Sequence, residues 1–183
     1  MDNIKYCNEL LARVEELMFH ELSGMVCWKV EYVGVDFIRA KKIEGKNVDE
    51  IVNSVTKEIV DAGIAKQIIH KTGGKGLMLK LKVKGCVHHE KEALIKKEGV
   101  APYICPIANM ILDQIHEKLK YETSYLAKLA IDEKSKECIA YMALYETADK
   151  IGVVSDWLAD DEDVKFLANQ PSQILAAADR KKQ

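Results

Sequence analysis

The chain has 183 residues, of which 48% are hydrophobic and 31% are charged, and its formal net charge is −2. These proportions are typical of a soluble globular protein and exclude a disordered tail or a fibre. No apolar run approaches the roughly 20 residues of a membrane span, and no signal-peptide core is visible, so we expect a cytoplasmic protein. The near-zero net charge gives no reason to expect nucleic acid as a partner.

The N-terminal half is predicted to be mainly helical. Apolar residues recur every three to four positions over 4–22 and predict a helix that ends near Gly24. Residues 26–39 fit both a strand and a helix, and their β-branched and aromatic content favours the strand. A second helix is predicted from the candidate N-cap Asn47 to Gly63. Its buried stripe would comprise Val48, Ile51, Val52, Val55 and Ile59.

The middle of the chain contains the strongest strand signal. Three glycines in 71–76 predict a loop, and leucines then alternate with lysines over 77–84. Gly85 indicates a bulge or the end of this strand. No aromatic residue interleaves with the lysines, so we interpret them as a solvated face and not as a nucleic-acid surface.

The C-terminal half predicts a helix over 106–120 and an antiparallel hairpin of residues 121–131 and 138–145. We therefore expect an α+β fold, with N-terminal helices packed on a small antiparallel sheet and a strand-helix-hairpin C-terminal half. Residues 1–152 would form one ligand-binding domain, and residues 153–183 a helical, acidic C-terminal extension.

Three cysteines and one histidine suggest a zinc site. Cys86 and His88 are two residues apart and would project from one side of a strand. Cys105 precedes Pro106, so it is the expected N-cap of a helix whose dipole would lower the pKa of its thiol. Cys138 opens the last strand of the hairpin. Three thiolates and one imidazole would complete a tetrahedral zinc site.

Three alternatives to this site stay open. If the strand runs straight through Gly85, Cys86 and His88 lie on the same face as the lysines. A metal site then requires either a bulge that turns Cys86 inward or His89 as the ligand in place of His88. Otherwise there is no site. In the last case Cys105 and Cys138 are small buried hydrophobic residues. Two further cysteines are assigned to packing: Cys7 and Cys27.

The segment 99–106 (GVAPYICP), followed by an apolar helix and by a hairpin that begins at Tyr121, resembles the 4-vinyl reductase domain family. The resemblance covers about residues 48–145. It implies an α+β domain that encloses an apolar ligand pocket and often forms a dimer. In the aromatic-sensing members of the family, a zinc ion held by an acidic residue and three cysteines lies beside the pocket.

The resemblance also assigns individual residues. Cys105 matches the cysteine before the long helix, Cys138 matches the last cysteine of the hairpin, and Cys86 falls near the place of the acidic ligand. The other hairpin cysteine of the family is replaced by Ala130. His88 or His89 would therefore have to supply the fourth zinc ligand.

We expect a non-catalytic protein that binds or senses a small, largely apolar or aromatic molecule and forms a homodimer. Apolar residues of the long helix and the hairpin would line the ligand pocket, although the same residues could simply form the core. The candidates are Tyr103, Ile111, Ile115, Tyr121, Tyr125, Tyr141 and Met142.

Two other functions compete with this one. Cys105 could be the nucleophile of a thiol enzyme with His88 or His89 as its base. Alternatively, the acidic segment 156–163 and the helical tail could dock another chain in a structural adaptor, although acidic runs are more often solvated faces.

Overall fold

A computed structural model describes residues 3–22, 30–73 and 78–147. These residues form helices and one four-stranded antiparallel sheet, which confirms the predicted α+β class. The predicted extension 153–183, its acidic segment 156–163, Gly24 and Cys27 lie outside the described residues. In chain order the elements are α1 (Asn3–Leu22), α2 (Val35–Arg39), α3 (Val48–Asp61), β1 (Gln67–Gly73), β2 (Met78–Lys84), α4 (His89–Lys97), α5 (Pro106–Leu119), β3 (Thr123–Asp132) and β4 (Glu137–Tyr145).

The strand order is β1-β2-β4-β3, so β2 and β4 are the central strands of the sheet. Along β2, Leu79, Leu81 and Val83 are buried, and lysines alternate with them on the opposite face, as predicted. The register pairs Leu81 with Ala140 and Val83 with Cys138. Directly opposed residues share a face of the sheet, so Cys138 lies on the core side.

Helix α3 covers this core with aliphatic side chains, together with α5, against which it packs. Asn47 is its N-cap, as predicted, and Asn47 Oδ1 accepts a hydrogen bond from the Glu50 backbone N–H at 2.9 Å. The Asn47 side-chain Nδ2 donates in turn to Glu50 Oε1 at 2.8 Å, so the helix start is fixed from both sides. The predicted buried stripe is confirmed, with Val48 partly buried beside the fully buried Ile51, Val52, Val55 and Ile59.

Helix α1 forms over the predicted residues but buries a polar face. Asn8 and Glu15 are buried together with Ala12. Cys7, which was assigned to packing, is exposed, so that prediction is wrong. Four of the apolar side chains that predicted the helix are about half exposed: Ile4 (55%), Leu10 (48%), Val14 (49%) and Leu17 (52%).

The strand favoured for 26–39 is wrong for the described residues 30–39, which form a turn followed by α2. Gly34, at φ +89°, lies so close to α5 that a Cβ there would come within 2.9 Å of Pro106 Cβ. The Asn109 side-chain amide holds the turn, since it donates to the carbonyls of Val30 at 2.7 Å and Val33 at 3.1 Å. These long-range contacts override the local strand propensity.

Two elements, β1 and α4, were not predicted. Strand β1 extends to Gly73, so the loop predicted for residues 71–76 cannot begin at residue 71. Helix α4 follows β2 after a short turn and packs against α1. Its buried residues are Lys91, Glu92 and Ile95, and a helix that buries two charged residues has no clear apolar stripe to signal it.

Candidate functional site

A glycine turn after β2 carries Cys86 toward the core. Gly85 has φ +64°, and a Cβ there would come within 2.7 Å of the Lys66 side chain, so the strand ends here. Cys86 then packs against the main core, and its Sγ accepts a hydrogen bond from the His88 backbone N–H at 3.4 Å. His88 is the N-cap of α4. The expectation that Cys86 and His88 project from one strand is therefore wrong, although the strand end predicted at Gly85 is confirmed.

The other two cysteines lie on neighbouring elements. Cys105 is the N-cap of α5 with Pro106 at the first helical position, as predicted, and only 8% of it is exposed. Cys138 lies near the start of β4, on the core face of the sheet. It is also almost completely buried.

All four predicted ligands, Cys86, His88, Cys105 and Cys138, line one small cavity. Glu92 of α4 joins them there, one helical turn after His88. The cavity volume is about 10 Å³, which is room for about one water-sized sphere. The rest of its lining is apolar and comprises Val83, Pro106, Ile107, Leu129 and Ala140.

Burial controls the ionisation of the thiols. It raises the pKa of Cys86 to about 11 and that of Cys105 to about 12, and it also raises the pKa of Cys138. The predicted lowering of the Cys105 pKa by the helix dipole is therefore wrong, because desolvation outweighs the dipole. A buried, protonated Cys105 does not favour the thiol-enzyme alternative, since the thiolate is the nucleophile. A bound cation would favour the thiolates here.

The histidine and the carboxylate are also perturbed. Burial, with the nearby charge of Lys91, lowers the pKa of His88 to about 4, so its imidazole is neutral at pH 7. Burial raises the pKa of Glu92 to about 8, against the opposing effect of Lys91. Glu92 Oε1 lies 2.9 Å from Lys91 Nζ, whereas its buried Oε2 has no hydrogen-bond partner. A buried carboxylate oxygen without a partner is costly, and a cation would satisfy it.

Sequence reasoning missed Glu92 because it did not predict α4. The available signal was the spacing of four residues between His88 and Glu92, which places two such side chains on one helix face. The alternative ligand His89 points elsewhere: its Nε2 lies 3.2 Å from the Asp132 carbonyl oxygen, and His89 does not line the cavity.

The cavity is not a ready-made metal site. Within the described ranges, no group of three or more His, Cys, Asp or Glu side chains already has an arrangement that could hold a metal ion. The donors converge on one cavity, but their side chains would have to move toward its centre to ligate an ion.

The seven predicted pocket residues do not meet at this cavity. Ile111, Ile115 and Met142 are fully buried in the main core, and Tyr121 packs against that core. Tyr103 packs in a separate small cluster with residues of α1 and α4. The register places the other two on the opposite face of the sheet: Tyr125 and Tyr141.

Comparison with known protein families finds no match, and comparison with curated proteins finds none either. Within residues 3–22, 30–73 and 78–147, no helix combines the length and the apolar character that crossing a bilayer requires.

Proposed function

We propose that the protein is a non-catalytic metal-binding protein that holds one zinc ion in the small cavity. The observation that carries this proposal is the convergence of three sulfurs, one imidazole and one carboxylate from separate segments of the chain. Thiolate, imidazole and carboxylate are the usual protein ligands of zinc. A closed four-coordinate site would use Cys86, Cys105 and Cys138, with His88 or Glu92 as the fourth ligand.

The chemistry of these side chains fits a soft divalent cation. His88 is neutral, as a metal ligand must be, and Glu92 Oε2 lacks a partner in a buried place. The cavity volume of about 10 Å³ suits a single ion and is far below that of a site for an organic molecule, about 300 Å³ or more. Zinc there would cross-link β4, α4 and α5 and would add its binding free energy to folding.

We also propose that the chain is a divergent relative of the 4-vinyl reductase domains. The order strand, helix, hairpin supports this proposal, as does the place of Cys105 before the long helix and of Cys138 in the last strand. Binding of a small apolar molecule and homodimer formation remain predictions of that relationship.

Metal analysis of the full chain, purified under reducing conditions, tests the zinc site. We expect about one zinc per chain, since one closed set of donors is available. Replacement by Co²⁺ should give the intense thiolate-to-cobalt absorption and the visible bands of a tetrahedral site. Cys86→Ser, Cys105→Ser and Cys138→Ser should each weaken or remove both signals.

Cys7→Ser is the matched control, because Cys7 is exposed on α1 and does not line the cavity. It should retain the full metal content. Comparison of His88→Ala with Glu92→Gln identifies the fourth ligand, since substitution of the residue that binds zinc should cause the larger loss of zinc affinity. A wild-type chain that neither contains zinc nor binds added Zn²⁺ or Co²⁺ would contradict the proposal.

A further inference from the structure

The buried polar residues of α1 reach the chain segments that hold the cavity donors. Asn8 lies in the part of α1 that faces the turn after β2, and its Nδ2 donates to the Val87 carbonyl at 2.8 Å. Val87 stands between Cys86 and His88 in the sequence. The hydrogen bond therefore fixes the backbone from which both of these side chains project.

Glu15, two helical turns further along α1, holds the segment before Cys105. Its Oε1 accepts hydrogen bonds from the backbone N–H groups of Tyr103 at 2.9 Å and Ile104 at 3.1 Å. Its backbone carbonyl accepts a further hydrogen bond from the Tyr103 hydroxyl at 2.7 Å. Glu15 thus ties α1 to the two residues that lead directly into the third candidate donor, Cys105.

The remaining carboxylate oxygen of Glu15 is connected to another candidate donor, Glu92, through Lys91. Lys91 Nζ donates to Glu15 Oε2 at 2.6 Å and to the Ile104 carbonyl at 2.7 Å, and it lies 2.9 Å from Glu92 Oε1. The side chains of Lys91, Glu15 and Glu92 are at most 3% exposed. Lys91 therefore holds one oxygen of the Glu92 carboxylate, and the other oxygen is buried without a hydrogen-bond partner.

We propose that α1 positions the donors of the metal site through Asn8 and Glu15, so that metal binding and the docking of α1 on α4 strengthen each other. This inference rests on the proposed zinc site. Groups that orient the ligands of a metal commonly change its affinity by about 10–100-fold when they are removed. Coupling between two events is reciprocal, so bound metal must stabilise the docking of α1 by the same factor by which docking of α1 raises the metal affinity.

The first experiment measures zinc affinity by competition with a chromophoric chelator. Glu15→Gln and Asn8→Ala should each raise the Kd of zinc by about 10–100-fold. Glu9→Gln is the matched control, because it makes the same change at an exposed position of the same helix, and its Kd should equal that of the wild type. The Co²⁺ spectrum of Glu15→Gln should also change shape, since the geometry of the donors depends on Glu15.

The second experiment needs no variant and so does not depend on whether a variant folds. Hydrogen exchange of the wild-type chain is followed with excess zinc and with a chelator. Zinc should slow the exchange of α1 amides relative to those of β1, which packs against α3 and β2.

These results separate the two proposals. If the wild type binds no zinc, both proposals fail. If it binds zinc, but Glu15→Gln and Asn8→Ala match Glu9→Gln in affinity and zinc leaves α1 exchange unchanged, the positioning role is overturned and the zinc site stands. Weaker binding in the two variants together with zinc-dependent protection of α1 supports the positioning role.

Discussion

Helix α3 packs on the sheet through four aliphatic side chains, whereas helix α1 packs on α4 and on the turn before it through a face that contains Asn8, Ala12 and Glu15. The α3 contact is driven by removal of apolar surface from water and tolerates small shifts of the helix. The α1 contact combines a small apolar cluster around Ala12 and Ile95 with hydrogen bonds and one buried ion pair, and these polar contacts need a defined geometry. A contact of the second kind suits a helix that must hold other groups in fixed positions.

The comparison also concerns the free energy of each contact. A buried aliphatic side chain contributes about 1.5–3 kcal/mol by burial. A buried ion pair can contribute little in total, because desolvation offsets the attraction, yet removal of one partner is costly. The α1 contact should therefore be most sensitive to changes that leave one charge alone.

The largest effect is expected for Lys91→Ala. The substitution leaves the buried carboxylates of Glu15 and Glu92 without their shared cation, so we expect a loss of about 3–5 kcal/mol in the free energy of unfolding. Urea denaturation followed by circular dichroism measures it. Lys97→Ala is the control on the same helix, since Lys97 is exposed, and it should change the free energy by less than about 0.5 kcal/mol. Equal effects of the two substitutions would refute this account of the α1 contact.

The same comparison explains which parts of the fold can be predicted from the sequence. The α3 stripe, the β2 alternation and the hairpin are predictable because local hydrophobic periodicity and burial agree there. On α1 the periodicity is clear, but the partners of Asn8 and Glu15 lie about 80 residues away in the chain. Local periodicity carries no information on such partners, so the buried face of α1 could not be inferred.

The candidate site also has features that could be predicted from the sequence and features that could not. Cys86, His88, Cys105 and Cys138 could be selected from the sequence as candidate metal donors because few residue types ligate zinc, and the structure places all four at one cavity. Their raised thiol pKa values were not predictable, since these depend on burial in a core that forms from distant segments. Glu92 was not predictable without α4, because an isolated glutamate in a lysine-rich stretch is usually a solvated residue.

An intermediate effect is expected for Asn47→Ala at the start of α3. The substitution removes the N-cap hydrogen bond to the Glu50 backbone N–H and should cost about 1 kcal/mol in the free energy of unfolding. Asn47→Ser keeps a side-chain acceptor at the N-cap without adding a charge beside the Glu50 carboxylate, and it should restore most of the loss. Urea denaturation at fixed protein concentration measures both variants. If Asn47→Ser were as unstable as Asn47→Ala, the cap would not be the source of the loss.

The smallest effect is expected for Leu10→Ser. This substitution tests whether α1 packs through the apolar stripe seen in its sequence or through the polar face that the structure shows as buried. If α1 buried its apolar stripe, this substitution would cost several kcal/mol, as Ile59→Ser should in the fully buried stripe of α3. Because Leu10 is 48% exposed, we expect a change within about 0.5 kcal/mol in the monomer. Unfolding should be measured at two protein concentrations, since an α1 stripe buried between two copies would make the Leu10→Ser effect grow with concentration. A large effect that is independent of concentration would show that α1 docks through its apolar face, and it would remove the basis for assigning a positioning role to Asn8 and Glu15.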